Sequence, residues 1–114
     1  MKLPNVYGKS VYLSDPMTGM PDHNRVALNK VETACVDAGA EEVYNPAYLI
    51  PNIGKGWTRA DFMLFDLEQL MEMARGDHMI VLQLPGWRFS SGCLTEWMVA
   101  TQLGIECREV IPIG

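Results

Sequence analysis

The chain has few of the features that mark several large classes of protein. Its 114 residues include only three cysteines, two histidines and nine lysine or arginine residues. No run of cationic residues occurs, and the net charge of −5 is opposite to the basic surface that general nucleic-acid binding requires. We therefore expect no nucleic acid among the partners of this protein.

Membrane, metal and nucleotide motifs are also missing from the sequence. No apolar run approaches the roughly 18 residues that span a bilayer, and the first residues contain no signal-peptide core. The cysteines Cys35, Cys93 and Cys107 form no CxxC pair, neither histidine has zinc-type spacing, and GxGxxG and GxxxxGK(S/T) are absent. The sequence predicts a cytoplasmic protein with reduced thiols, no membrane contact, no metal and no organic cofactor.

What is present indicates a folded α/β protein. Apolar residues make up 48% of the chain, which suits one domain over residues 1–114. Apolar residues at helical spacing alternate with short strands, and residues 47–57 are predicted to form a loop. The strands are predicted at 10–14, 42–45, 78–84 and 105–111, the last closed by Pro112. This order predicts a single-domain three-layer sandwich, flavodoxin/Rossmann-like, with a parallel sheet of about four or five strands.

The stretch LPGWRFSSGCLTEWMVA, residues 84–100, joins the third strand to the third helix and is the best candidate for a ligand site. The Ser91 hydroxyl is expected to cap this helix, and Gly92 lets the backbone pass close to a ligand. The free N–H groups of the first turn favour an anion, and Glu96 adds a carboxylate. Open α/β sheets bind ligands at this edge. The alternative is an ordinary strand-to-helix connection with a capped helix.

Four parts of the chain are predicted to meet at that edge. They are Tyr12 with the loop 14–19, Asn45 at the end of the second strand, Asp66 within the second helix, and the turn 90–96. Two carboxylates facing one pocket, with a tyrosine nearby, suit chemistry at an acetal-like carbon. One carboxylate can attack the anomeric carbon while the other assists proton transfer or holds the sugar hydroxyls.

Each of these residues also has a purely structural interpretation. Asp66 can be a solvated helix position, Tyr12 a packed strand aromatic, and Glu96 a partner of Arg88 or a solvent-facing acid. The best stacking surfaces for a nucleobase are Trp57, Trp87 and Trp97. These side chains can equally serve a core or a dimer interface.

Several motifs resemble the nucleoside 2-deoxyribosyltransferase-like superfamily. They are VYLSDPMTGMPDHN, VYNPA, FDLEQL, GDHMIVLQLPGW and SSGCLTEWMVATQLG. They are most similar to its small phage and bacterial branch, a DUF4406-like domain of unknown function with YLxGPMTG and LPGWxxSxGAxxE signatures. The resemblance runs from about Val11 to Ile105. The superfamily includes deoxyribosyltransferases and nucleoside 5′-monophosphate N-glycosidases.

The resemblance implies roles for individual residues. Glu96 would attack C1′ of the sugar, Tyr12 would hydrogen-bond this nucleophile, and Asp66 would bind the sugar hydroxyls or assist the leaving base. Ser90 would bind a 5′-phosphate, helped by the loop after the first strand. The implied substrate-binding residues are Ser14, Asp15, Met17, Thr18, Gly19, Asn45, Trp87, Ser90 and Gly92. The resemblance also implies a homodimer or a larger homo-oligomer.

The chain departs from the signatures at two positions. Asp15 stands where the branch usually has glycine, and Cys93 stands where it usually has alanine. A carboxylate beside a phosphate loop would repel a phosphate at close range. A phosphorylated and a free substrate therefore both remain open.

These observations predict an enzyme that hydrolyses or transfers the N-glycosidic bond of a nucleoside or nucleoside 5′-monophosphate through Glu96. Two alternatives use the same scaffold. One is a non-catalytic nucleotide-binding or sensor protein, and the other is a phage accessory protein that acts by protein–protein contact.

Overall fold

The computed structural model describes residues 1–111 as one α/β domain, and Pro112, predicted to close the last strand, lies outside them. Four parallel strands form the sheet in the order β2-β1-β3-β4. Their bounds are β1 Ser10–Ser14, β2 Glu42–Tyr44, β3 Met79–Gln83 and β4 Glu106–Glu109. The helices are α1 Arg25–Asp37, α2 Arg59–Ala74 and α3 Ser91–Gln102. The predicted α/β three-layer sandwich is confirmed.

The two faces of the sheet have separate apolar cores because successive strand residues point to opposite sides. Val11 and Ile80 face α1, whose Leu28 belongs to the same cluster. Tyr12 faces the other side, where it packs with Leu70 of α2 and with α3. Helix α1 therefore covers one face, and α2 and α3 cover the other.

The strand order creates a crevice at one edge of the sheet. The chain leaves β1 toward β2 on one side, whereas it leaves β3 toward β4 on the other side. The loops that follow these two neighbouring strands consequently diverge. In open α/β sheets this switch point is where ligands bind.

The segment predicted as loop between β2 and α2 is instead largely helical. Successive 3₁₀ turns run over Pro46–Lys55, and the Asn45 side chain accepts a hydrogen bond from the backbone N–H of Ala47 at their start. Proline at the first helical position and a left-handed glycine, Gly56, at the end are common helix boundaries. The capping box predicted for α2 is confirmed, since Thr58 and Asp61 bond to each other's backbone N–H groups.

No helix within residues 1–111 is long and apolar enough to cross a membrane.

Candidate functional site

A cavity of about 750 Å³ opens at the switch point between β1 and β3, and we call it the main cavity. This volume lies within the range of small-molecule sites. Its walls come from the loop after β1, the 3₁₀ segment, α2, and the turn from β3 into α3. Among the predicted site residues, those that line it are Asp15, Met17, Thr18, Gly19, Asp66, Ser90, Gly92 and Glu96.

Glu96 lies in the wall of the main cavity and is held from behind by β1. Its side chain is 6% exposed. The Tyr12 hydroxyl donates to Glu96 Oε2, and Ser14 Oγ donates to Oε1 at 3.0 Å. Tyr12 and Ser14 can reach the same carboxylate because residues two apart in a strand face the same side. The predicted bond between Tyr12 and Glu96 is therefore present, although Tyr12 itself is fully buried and does not line the cavity.

The charge state of Glu96 depends on opposing influences. Burial raises the pKa of its carboxyl group to about 8, and the charges of Asp66 and Asp15 act in the same direction. The hydrogen bonds from Tyr12 and Ser14 oppose this rise because they stabilise the carboxylate. Glu96 consequently holds its proton near neutral pH. Once it ionises, the Tyr12 and Ser14 hydroxyls can both donate hydrogen bonds to the carboxylate.

Asp66 lines the same cavity from α2. Tyr44 donates a hydrogen bond from its hydroxyl to Asp66 Oδ1 at 2.7 Å. Burial raises the pKa of Asp66 to about 6, and the Tyr44 bond opposes this rise. The Tyr12 and Tyr44 rings stack with their centroids 5.0 Å apart, and the Tyr12 hydroxyl lies 3.3 Å from the backbone carbonyl of Asp66. The two carboxyl groups are thus linked through a pair of stacked tyrosines.

Asp15 is a third acid in the wall of the main cavity. It directly follows β1 and is 7% exposed. Its Oδ1 accepts a hydrogen bond from Nδ2 of Asn24 at 2.8 Å, whereas Oδ2 has no partner within residues 1–111. Burial raises the pKa of Asp15 to about 7.

The start of α3 differs from the expectation by one residue. Ser90, not Ser91, is the N-cap, and its hydroxyl accepts from the backbone N–H of Cys93 at 3.3 Å. Ser91 is the first helical residue and its hydroxyl contacts the guanidinium of Arg59. Ser90 has the extended backbone of a cap and directly follows a 3₁₀ turn, Trp87–Phe89. Gly86, just before that turn, has a φ of 90°, which favours glycine.

Three of the predicted substrate-binding residues do not line the main cavity. Ser14 is buried, and its hydroxyl holds Glu96 from behind. Asn45 is 1% exposed, and its amide donates to side chains of α1, Asn29 and Glu32, at 2.9 Å each. Its carbonyl oxygen caps the 3₁₀ segment, so its polar groups are satisfied inside the fold. Trp87 lies in a separate depression of about 300 Å³, where its indole N–H donates to Glu109.

The sequence left open a pairing of Glu96 with Arg88, and the structure gives these two residues other partners. Arg88 forms an ion pair with Glu109 at 3.0 Å and lies over the Trp87 ring. Glu96 bonds only to Tyr12 and Ser14 among the described residues.

Several residues of the site were not predicted from the sequence, His23 in the cavity wall among them. Tyr44 holds Asp66, Asn24 holds Asp15, and Arg59 brings a guanidinium group to the cavity wall. Only Tyr44 had a usable signal, because parallel pairing of β1 and β2 brings it into register with Tyr12.

No group of three His, Cys, Asp or Glu side chains within residues 1–111 is arranged to hold a metal ion. The cysteines Cys35 and Cys93 are buried, Cys107 is half-buried, and all three are free thiols.

Comparison with known proteins assigns the chain to a family. It belongs to the family described as a domain of unknown function (DUF4406), whose model matches residues 9–108. The matched region contains every residue that lines the main cavity. A search of the curated proteins finds no match.

Proposed function

We propose that this DUF4406 protein hydrolyses or transfers the N-glycosidic bond of a nucleoside or nucleoside 5′-monophosphate, with Glu96 as the nucleophile. The observation that carries the proposal is the placement of Glu96 and Asp66 in one cavity, each held by a tyrosine hydroxyl. The resemblance of the sequence motifs to the nucleoside 2-deoxyribosyltransferase-like superfamily supports the same reaction.

In the proposed reaction, a carboxylate oxygen of Glu96 attacks C1′ as the bond between C1′ and the base breaks. The departing base takes up a proton from solvent water, and the sugar remains as an ester on Glu96. The water or second base that attacks next releases a proton in turn. Attack of water at C1′ then releases the sugar, whereas attack of a second base gives a new nucleoside. Both routes regenerate the Glu96 carboxylate, and neither requires an oxidant or a reductant.

The tyrosines position the two acids during this reaction. Burial and the nearby carboxylates raise the pKa of Tyr12, so it remains a hydrogen-bond donor. With Ser14 it fixes both oxygens of Glu96, which reduces the reorganisation needed for attack. Tyr44 fixes Asp66 in the same way.

The different pKa values of the two acids favour binding of sugar hydroxyls, not proton donation, as the role of Asp66. At neutral pH Asp66, with a pKa of about 6, is mainly ionised, whereas Glu96, with a pKa of about 8, is mainly protonated. An ionised Asp66 accepts hydrogen bonds from sugar hydroxyls better than it donates a proton to a leaving base. Glu96 has to lose its proton before attack, so the rate is expected to rise with pH up to about 8.

The test is incubation with matched nucleosides and 5′-monophosphates, with the free base measured by chromatography. Glu96→Gln should lower the rate by several powers of ten, each about 1.4 kcal/mol of barrier. The matched control is Glu68→Gln, which removes the same charge from an exposed position of α2. A nucleoside with fluorine at C2′ should leave a sugar on the peptide that contains Glu96, detected by mass spectrometry. Full activity of Glu96→Gln would contradict the assignment.

The second candidate is a non-catalytic nucleotide-binding or sensor protein. The raised pKa of Glu96 favours it, since a protonated carboxyl group binds a ligand without attacking it. Measurable binding of a nucleoside with no release of base across pH 6–9 would support this function instead.

We also propose that the chain works in the cytoplasm as a homodimer or a larger homo-oligomer. Leu94, Trp97 and Met98 expose apolar surface along α3, and Phe89 is 96% exposed at the rim of the main cavity. Leu94, Trp97 and Met98 are three and four positions apart and so share one face of α3, and an exposed apolar face of this kind often marks an interface.

A further inference from the structure

Asp15 is the acid of the main cavity that the proposed reaction does not use. It is 7% exposed, and its Oδ2 has no hydrogen-bond partner within residues 1–111. An incompletely paired buried carboxyl group costs stability. Among the residues that the structure describes, the single bond from Asn24 is the one hydrogen bond that offsets this cost. A role toward a ligand is therefore the better explanation for an acid in this wall.

The position of Asp15 is fixed by a strained turn. Asp22, His23 and Asn24 all have left-handed backbone angles, with φ of 48°, 52° and 62°. Asp and Asn adopt this conformation more readily than most residues, but three such residues in succession are rare. The turn directs the Asn24 amide to Asp15 Oδ1 and places His23 in the cavity wall. Asp15 is thus held in place from a second segment of the chain.

The charges around the cavity do not favour a dianionic ligand. The wall contains the acids Asp15, Asp66 and Glu96, against one guanidinium from Arg59 and the imidazole of His23. The Arg59 guanidinium already contacts the Ser91 hydroxyl. Like charges separated by several ångströms in a partly buried site repel by enough to change affinity tenfold or more.

We propose that Asp15 determines the specificity of the main cavity and makes it select an unphosphorylated nucleoside over the matching 5′-monophosphate. The inference rests on the proposed function, because it names the substrate class of the same site. The ionised carboxylate of Asp15 repels a phosphate in the same cavity, whereas a neutral ligand meets no such repulsion.

The protonation of Asp15 adds a second cost for a phosphate. Burial raises the pKa of Asp15 to about 7, so the side chain is partly ionised near neutral pH. A bound dianion would raise this pKa further. A bound monophosphate would therefore either force Asp15 to take up a proton or be repelled by its negative charge. Both effects lower the affinity for the monophosphate.

Calorimetric titration with pairs of ligands tests the proposal. The probes are the ribonucleosides and 2′-deoxyribonucleosides of the common bases, each compared with its own 5′-monophosphate. Every protein carries Glu96→Gln so that no ligand is consumed. The test variants are Asp15→Asn and Asp15→Gly. The matched control is Glu68→Gln, which removes a negative charge from an exposed position of α2 that does not line the cavity.

We expect the Glu96→Gln protein to bind a nucleoside about tenfold or more tightly than its monophosphate. Asp15→Asn and Asp15→Gly should bring this ratio close to one by strengthening monophosphate binding, and Glu68→Gln should leave the ratio unchanged. Circular dichroism melting confirms that each variant is folded.

Two results would overturn the inference while the proposed function stands. One is binding of both ligands with a ratio that the Asp15 variants do not change. The other is a preference for the monophosphate that disappears in Arg59→Gln, which would assign the phosphate to Arg59. Absence of binding by every nucleoside and nucleotide in all folded variants would overturn the proposed function as well.

Discussion

Stability should fall as pH rises because the folded protein holds a proton on Glu96 that the unfolded chain releases. The pKa of Glu96 is raised from 4.5 to about 8 in the folded state. Below pH 4.5 the group is protonated in both states and has no effect. Between pH 4.5 and pH 8 the folded state binds more protons, so the free energy of unfolding decreases with pH. Above pH 8 both states are ionised and the loss is complete.

The size of this effect is large for a domain of 114 residues. At about 1.4 kcal/mol for each tenfold change in proton affinity, ionising Glu96 in the folded state costs roughly 3–5 kcal/mol. A domain of this size loses roughly 3–5 °C of Tm per kcal/mol. The wild-type Tm should therefore fall by roughly 10–20 °C between pH 5.5 and pH 8.5. Asp15 and Asp66, whose pKa values are also raised by burial, add to the fall.

The assay is thermal melting followed by circular dichroism in a series of buffers. Glu96→Gln keeps the shape of the side chain but cannot ionise, so its Tm should fall much less with pH and exceed the wild-type Tm at pH 8.5. Glu68→Gln, on the exposed surface of α2, should follow the wild-type curve. A wild-type Tm that stays flat or rises with pH would refute the reasoning, as would a Glu96→Gln curve parallel to that of the wild type.

Three further results are expected. Tyr12→Phe removes a hydrogen-bond donor from the Glu96 carboxylate. It should therefore shift the rising limb of the pH–rate profile to higher pH and lower kcat/KM by about 10–100-fold. An unshifted profile would argue against this bond. Ser90→Ala removes the N-cap of α3 and should lower stability by about 1 kcal/mol in denaturant titration, while no loss would show that the cap is dispensable. Light scattering at micromolar concentration should give a mass above that of the monomer, and Trp97→Glu should reduce it; a monomeric wild type would contradict self-association.

The sequence predicted the fold well because its signals are local. The apolar strand β1 was placed correctly at Ser10–Ser14, and the Thr58 capping box correctly marked the start of α2. The 3₁₀ turns of Pro46–Lys55 were missed because proline and glycine punctuate loops and 3₁₀ segments alike.

Side-chain direction limited what the sequence could say about the site. Asn45 was placed at the correct end of its strand, but its amide turns to α1, where Glu32 and Asn29 satisfy it. The N-cap was assigned to Ser91, not Ser90, because two adjacent serines give the same signal and only the backbone angles separate them. Contacts between segments distant in sequence, such as Ser14 with Glu96, have no local pattern at all.

The arrangement of the three acids is costly for the fold, and this cost is itself an argument about function. Burial raises the pKa values of Glu96, Asp66 and Asp15, so each carboxyl group weakens the folded state as it ionises. Replacing Glu96 with a neutral residue should stabilise the protein, and an acid with no role has no reason to stay in such a place. The hydroxyls of Tyr12 and Ser14 are directed at the Glu96 oxygens and favour its ionised form. This combination of burial and directed donors supports the proposed role of Glu96. In the proposed reaction the positive charge that develops on the sugar would stabilise the carboxylate.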